Sequence, residues 1–153
     1  MTVVIDTNVF LAAAFWRGTG SRCWALCVSR GYPIAVSDDI LGEYCRKAAV
    51  LSEEFPEVDP GPFLRWIETE CPHYEPSPLG NQRSRDASDD MFLACALASK
   101  ASFLITRDAD LLALRKPFGI TIITDDEFLK LFKQAGIQFE MKPKPSPSIS
   151  LLD

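Results

Sequence analysis

The stretch Thr2-Val3-Val4-Ile5-Asp6 sets the interpretation of the whole chain, because a short run of β-branched residues ends directly in an acid. An uninterrupted run of this kind is typical of a strand that is covered on both faces. Longer stretches with helical spacing separate it from three similar runs, at residues 33–36, 103–106 and 121–123. This alternation predicts an α/β fold with a parallel sheet.

Apolar residues three and four positions apart indicate the helices that should cover this sheet. The helical sets are Cys23, Trp24, Cys27 and Val28; Ile40, Leu41 and Tyr44; Phe92, Leu93 and Ala96; and Phe128, Leu131 and Phe132. A further helical pattern at residues 62–70 lies between two Pro-containing stretches and is interpreted as an arm or small cap. We expect one domain over residues 1–141 and a flexible Pro/Ser/Lys tail over residues 142–153.

Composition excludes several classes of protein. The 153 residues are 47% hydrophobic, so a wholly disordered chain is excluded, and the net charge of −5 excludes a generic basic coat protein. We expect no membrane span and a cytoplasmic location, since the chain shows no basic leader and no long apolar run. The five cysteines are an odd number in apolar contexts, which suits reduced core thiols.

Acids follow two of the predicted strands at the point where each strand ends. Asp6 closes the first strand, and Asp108 and Asp110 come just after residues 103–106. Ligands bind beyond the carboxyl ends of the strands in an open parallel sheet. We therefore expect these carboxylates to line one crevice, although each could also serve as a helix cap.

Two helices should bring further acids to the same edge. With Ser37 as N-cap, Glu43 lies about a turn and a half into its helix and leans back toward the helix N-terminus. Asp86, Asp89 and Asp90 precede an apolar helix whose first turn should lie at the carboxyl end of the sheet. Asp89 therefore joins the predicted cluster and Asp86 is a further candidate, while the alternative is that these acids only complement the helix dipole.

Such a cluster needs compensation, since two like charges about 4 Å apart repel by roughly 4 kcal/mol at an effective dielectric near 20. Either some carboxyls stay protonated or a divalent cation neutralises them. Oxygen ligands select Mg²⁺ or Mn²⁺, ions that activate water for phosphodiester hydrolysis. His73 is the only histidine and lies in a Pro-bounded segment, so zinc catalysis and Ser-His or Cys-His nucleophiles are excluded.

Basic and aromatic side chains are candidates for contacts with nucleic acid. The basic candidates are Arg17, Arg22, Arg46, Lys47, Arg83, Arg85 and Arg107. Trp16 is a candidate for base stacking and equally for packing. The acidic run at residues 125–127 is interpreted as an ordinary first helical turn and is left outside the site.

Four ordered stretches, at residues 3–10, 37–43, 86–93 and 104–112, resemble the motifs of PIN domains. The resemblance runs from about residue 2 to residue 129 and is closest to VapC-like toxin components of toxin–antitoxin systems. It implies a three-layer α/β/α sandwich with a parallel sheet of about four to five strands. It also implies Mg²⁺- or Mn²⁺-dependent endoribonuclease activity on single-stranded RNA.

The resemblance further implies a metal-binding and catalytic quartet of Asp6, Glu43, Asp89 and Asp108. It makes Asp110 an auxiliary metal-site acid, lets Thr106 position a water or phosphate, and lets Asn8 order the loop after the first strand. Because Asp89 and Asp90 are adjacent, the third ligand could be either one, and Asp86 could also take part. A homodimer and an inhibitory antitoxin are the partners that the resemblance implies.

Two alternatives remain at this point. One is phosphoryl transfer through an aspartyl phosphate on Asp6, although the first strand lacks a second Asp two residues later and no Lys follows a late strand. The other is a catalytically silent module that uses the same surface to bind a protein partner.

Overall fold

Three of the four apolar runs form the sheet of the computed structural model, which describes residues 1–134. The strands are β1 Val3–Ile5, β2 Phe103–Ile105 and β3 Thr121–Ile123; they are all parallel and lie in that order across the sheet. Every residue of β1 is fully buried, and successive strand residues point to opposite faces, so both faces are covered there. The predicted α/β class with a parallel sheet is confirmed.

Residues 33–36 run beside β1 without forming a fourth strand. Isolated parallel bridges join Val3 to Ile34 and Val36 to His73. The carbonyl of Pro33 accepts a hydrogen bond from the N–H of Val3 at 2.9 Å, but the main chain of Val36 pairs with residues 72 and 74 and not with β1. Within residues 1–134 the sheet therefore has three strands, and the expected four to five are not formed there.

Helices fill the connections between the strands. Within the described residues they are α1 Thr7–Phe15, α2 Thr19–Ser29, α3 Asp38–Glu54, α4 Gly61–Glu70, α5 Asp90–Ser99, α6 Ala109–Leu112 and α7 Asp125–Gln134, with short 3₁₀ turns at Ala87–Asp89 and Pro117–Gly119. Every predicted helical set lies on one of these helices. Val28 and Leu131 are nevertheless exposed, so the buried faces of α2 and α7 are narrower than the apolar spacing indicates.

Helix α4, which the Pro-bounded pattern suggested as an arm or cap, packs into the core. Phe63 is fully buried and its ring lies 5.6 Å from the ring of Phe10 and 5.0 Å from that of Trp24. Phe10 in turn stacks on Tyr44 at 4.1 Å. This aromatic cluster joins α1, α2, α3 and α4, and so it holds the start of α1, where Asp6 lies, against the rest of the core.

Four of the five cysteines are buried free thiols, as expected, whereas Cys45 on α3 is exposed. No helix among residues 1–134 combines the length and apolar character that crossing a membrane requires. The predicted domain end at residue 141 and the tail at residues 142–153 lie outside the described residues.

Candidate metal centre

Three carboxylates from two parts of the chain meet just beyond the carboxyl end of β2. Asp89, Asp108 and Asp110 each offer an oxygen, and these oxygens all lie within 4.8 Å of one another. Asp89 ends the 3₁₀ turn that leads into α5, Asp108 is the N-cap of α6, and Asp110 lies in the first turn of α6. All three are half-buried. A set of carboxylate oxygens fits a hard divalent ion such as Mg²⁺ or Mn²⁺.

The three aspartates at and just before the start of α5 have different partners. Asp90 accepts hydrogen bonds from the main-chain N–H groups of residues 83 and 84, at 2.8 and 2.7 Å. Asp86 caps the 3₁₀ turn by accepting from the N–H and the hydroxyl of Ser88, and these hydrogen bonds lower the pKa of Asp86. Only Asp89 belongs to the cluster, so the structure separates the adjacent candidates that the sequence left open.

Burial and the neighbouring carboxylates together make it costly for Asp89 to carry a negative charge. Burial, a hydrogen bond shared with Asp108, and the charges of Asp108 and Asp6 raise the pKa of Asp89 to about 7 from 3.8. Without a cation, Asp89 therefore holds its proton to a much higher pH than an ordinary aspartate does. A divalent cation would compete with that proton for the same oxygens.

Asp6 is connected to the cluster through Thr106. The hydroxyl of Thr106 donates to one carboxylate oxygen of Asp6 at 2.6 Å and accepts from the main-chain N–H of Asp108 at 2.9 Å. The other oxygen of Asp6 accepts from the N–H of Thr7 at 2.7 Å, so Asp6 also caps α1. Burial raises the pKa of Asp6 despite these hydrogen bonds, and the charges of Asp108 and Glu43 add to that effect. Asp6 lies outside the group of three whose oxygens approach within 4.8 Å.

Glu43 lies close enough for its charge to act on Asp6, but its carboxylate is engaged elsewhere. It accepts a hydrogen bond from Arg46 at 2.8 Å, one turn further along α3. Ser37 caps α3 as predicted, accepting from the N–H of Ile40 at 3.2 Å. Asn8, expected to order a loop, is exposed in the first turn of α1, because that helix starts directly at Thr7.

Arg107, predicted to contact nucleic acid, forms a bidentate ion pair with Asp125. Its Nε and Nη2 donate to the two carboxylate oxygens of Asp125 at 3.0 and 2.6 Å, and Nη2 also lies 3.2 Å from the hydroxyl of Thr19. Asp125 is buried at the start of α7. Burial alone would raise the pKa of Asp125, but the hydrogen bonds from Arg107 and Thr19 outweigh it and hold that pKa below its usual value.

This partner was missed when residues 125–127 were interpreted as an ordinary acidic first turn. The only local signal was the position of Asp125, two residues beyond β3. Thr19 and Arg107 are 88 residues apart, and so no pattern in the sequence links them.

The other basic candidates lie on the surface. Arg17, Arg22 and Lys47 are exposed. Arg85 is also exposed, with Nη1 4.0 Å from an oxygen of Asp110. Trp16 is exposed by 45% and packs edge-to-face on Phe55 with ring centres 5.4 Å apart, which favours the packing interpretation of this ring.

Comparison with known protein families shows which family the chain belongs to. The model of the PIN domain family matches residues 2–110, a range that runs from the residue before β1 to Asp110 and includes every acid described above except Asp125. No curated protein matches the chain.

Proposed function

Since this chain belongs to the PIN domain family, whose members are generally nucleases, we propose that it is an endoribonuclease that hydrolyses single-stranded RNA with Mg²⁺ or Mn²⁺. The observation that carries the proposal is the convergence of Asp89, Asp108 and Asp110, with Asp6 linked to them through Thr106. Within residues 1–134 no second group of potential metal ligands of this kind is found.

The residues that would hold the ion are Asp89, Asp108 and Asp110, with Asp6 beside them. A bound divalent ion would lower the pKa of an attacking water and neutralise charge on the scissile phosphate. Thr106 fixes the site, because its hydroxyl connects the carboxylate of Asp6 to the main chain of Asp108. Both oxygens of Asp6 accept hydrogen bonds, so the orientation of this carboxylate is set before any ligand arrives.

Histidine does not provide an alternative nucleophile for this cluster. His73, the only histidine of the sequence, has Nε2 3.1 Å from the carbonyl of Glu68 and Nδ1 3.7 Å from Asp38. It is not one of the groups that act on Asp6 or Asp89. This supports hydrolysis by water over a covalent mechanism based on histidine.

We further place the protein as the toxin of a toxin–antitoxin pair that acts in the cytoplasm, with an antitoxin and a second copy of the chain as partners. The support is the resemblance of residues 3–10, 37–43, 86–93 and 104–112 to the motifs of VapC-like toxins. An acidic cluster open to solvent would also complement a basic segment of an inhibitor.

The decisive experiment compares cleavage of a single-stranded RNA by wild type, Asp108→Asn and Asp126→Asn. Asp126 is the matched control, an exposed acid on α7 that pairs with Lys130 at 3.0 Å. We expect wild type and Asp126→Asn to cut in Mn²⁺, leaving 5′-phosphate and 3′-hydroxyl ends, and Asp108→Asn to lose at least about a hundredfold in rate.

Equal cutting in EDTA, or an unchanged rate for Asp108→Asn, would contradict the proposal. Calorimetric titration of the same proteins with Mn²⁺ distinguishes the non-enzymatic alternative. A silent protein-binding module would show neither cleavage nor an Asp108-dependent Mn²⁺ site.

A further inference from the structure

A strained turn follows α6 and presents an aromatic ring to solvent. Phe118 has φ of 53° and Arg115 has φ of 64°, both in the left-handed region that bulky residues rarely adopt. The side chain of Phe118 is nevertheless 47% exposed, so burial of the ring does not account for the strain. A bulky residue held in a sparsely populated conformation on the surface points to a role for its side chain.

Arg83 is held against this ring. Its guanidinium carbon lies 5.1 Å from the ring centre of Phe118, within the range of a cation–π contact. The guanidinium also donates to the carbonyl of Leu79, from Nη2 at 2.9 Å and from Nε at 3.3 Å, and the main-chain N–H of Arg83 donates to Asp90 at 2.8 Å. Arg83 is therefore held at its main chain and at its guanidinium, so its contact with the ring of Phe118 is in place before any ligand binds.

The same contacts connect the ring to the acid cluster. Asp90, which anchors Arg83, is the neighbour of Asp89 in the sequence, and the turn that carries Phe118 follows α6, the helix that Asp108 caps. Arg85 extends over Asp110, with 4.0 Å between Nη1 and a carboxylate oxygen. The ring and its cation thus belong to the two segments that supply the acids.

Two exposed cations precede Phe118 in the same turn. Arg115 and Lys116 are exposed, and neither forms an ion pair within the part of the chain that the structure describes. In a protein with a net charge of −5, these two cations make the turn that carries Phe118 locally positive. An aromatic ring among unpaired cations suits a nucleic-acid strand, because bases stack on the ring while phosphates meet the cations.

We propose that Phe118, backed by Arg83, is a stacking platform for a base of single-stranded RNA, and that Arg85, Arg115 and Lys116 contact its phosphates. The proposal rests on the proposed ribonuclease function and specifies where the substrate lies. The stacking role then lies with Phe118 and not with Trp16, whose ring packs on Phe55.

The test measures binding of a fluorescein-labelled single-stranded RNA by anisotropy in EDTA, so that no cleavage intervenes. We expect Phe118→Leu to weaken binding by about fivefold or more, the effect of losing one stacked base, and Phe118→Tyr to stay within about twofold of wild type. Trp16→Leu is the matched control, since it removes an exposed ring elsewhere, and it should leave binding unchanged.

A second arm separates stacking from a change in the fold. A series of RNAs is used, each with one abasic site at a different position. At one of these positions the abasic site should abolish the difference in RNA affinity between wild type and Phe118→Leu. Phe118→Gly relieves the backbone strain, so its melting temperature should stay within about 3 °C of wild type while binding weakens as for Phe118→Leu.

Three results would each contradict the stacking platform. They are an RNA affinity of Phe118→Leu equal to that of the wild type, a loss of affinity that is the same for every abasic position, and no RNA binding by the wild type. Cleavage is scored separately in Mn²⁺ with the same proteins. Metal-dependent cleavage with no effect of Phe118→Leu on RNA binding would contradict the stacking proposal but support the ribonuclease proposal. An effect of Phe118→Leu at one abasic position without any cleavage would contradict the ribonuclease proposal but support the stacking proposal.

Discussion

Replacing Asp89 by Asn should stabilise the metal-free protein. Burial, the hydrogen bond shared with Asp108 and the charges of Asp108 and Asp6 raise the pKa of Asp89 from 3.8 to about 7. The folded state therefore holds this proton more tightly than the unfolded chain does. The contribution of Asp89 to the free energy of unfolding consequently falls as pH rises from about 4 to about 7, and this loss is complete above that range.

The size of the effect follows from the shift. About three pKa units at 1.36 kcal/mol each set an upper limit of about 4 kcal/mol. Asp89 is only half-buried, so solvent screening reduces this figure to about 1–2 kcal/mol. For a domain of this size that corresponds to a rise in melting temperature of roughly 3–8 °C at pH 8.

The assay is urea or thermal unfolding in EDTA at pH 5 and pH 8. We expect Asp89→Asn to be more stable to unfolding than the wild type at pH 8, with a much smaller difference at pH 5. Added Mn²⁺ should stabilise the wild type but not Asp89→Asn. The control is Asp90→Asn, one residue away, where an amide cannot accept both main-chain N–H groups and stability should fall by about 1 kcal/mol. A loss of stability in Asp89→Asn at pH 8, or the same gain at both pH values, would refute the reasoning.

Two further substitutions test the residues that support the site. Thr106→Val removes the hydroxyl that joins Asp6 to the main chain of Asp108, so it should lower the free energy of unfolding in urea by about 1–3 kcal/mol and weaken Mn²⁺ binding about tenfold in calorimetry. Thr106→Ser should retain most of the stability and of the Mn²⁺ affinity, and an unchanged Mn²⁺ affinity in Thr106→Val would contradict this role. Asp125→Ala leaves the guanidinium of Arg107 without its partner and should cost about 2 kcal/mol at pH 7, part of which Arg107→Leu in the same chain should restore. Because the pKa of Asp125 is lowered in the folded state, the difference between wild type and Asp125→Ala should shrink as pH falls below about 4, and a difference independent of pH would argue against the ion pair.

The features that could be predicted from the sequence are those governed by short-range rules. A buried strand is recognisable from consecutive residues such as those of β1, and helix α3 is recognisable from its apolar spacing and the cap at Ser37. The position of Asp6 and Asp108 directly after strands follows from the same local pattern, and parallel strands bring their carboxyl ends to one edge. With a single histidine in 153 residues, the sequence also restricts the chemistry that the site can perform.

The orientation of neighbouring side chains could not be predicted in this way. Asp89 and Asp90 are adjacent, but the 3₁₀ turn before α5 directs one into the cluster and leaves the other to bind the main chain of residues 83 and 84. A similar local ambiguity applies to Glu43, whose carboxylate pairs with Arg46. A small change in backbone geometry rotates a side chain to a different face, and the sequence pattern does not record that change.

Long-range contacts account for the remaining differences. Thr106 and Asp6 are 100 residues apart. Arg107 follows β2, whereas its partners Thr19 and Asp125 lie at the starts of α2 and α7. Strand and helix patterns arise from neighbours within a few positions, so the sequence locates the elements and the acids at their ends. Which hydrogen-bond partner each buried group finds depends on how those elements pack, and only the folded chain brings these groups together.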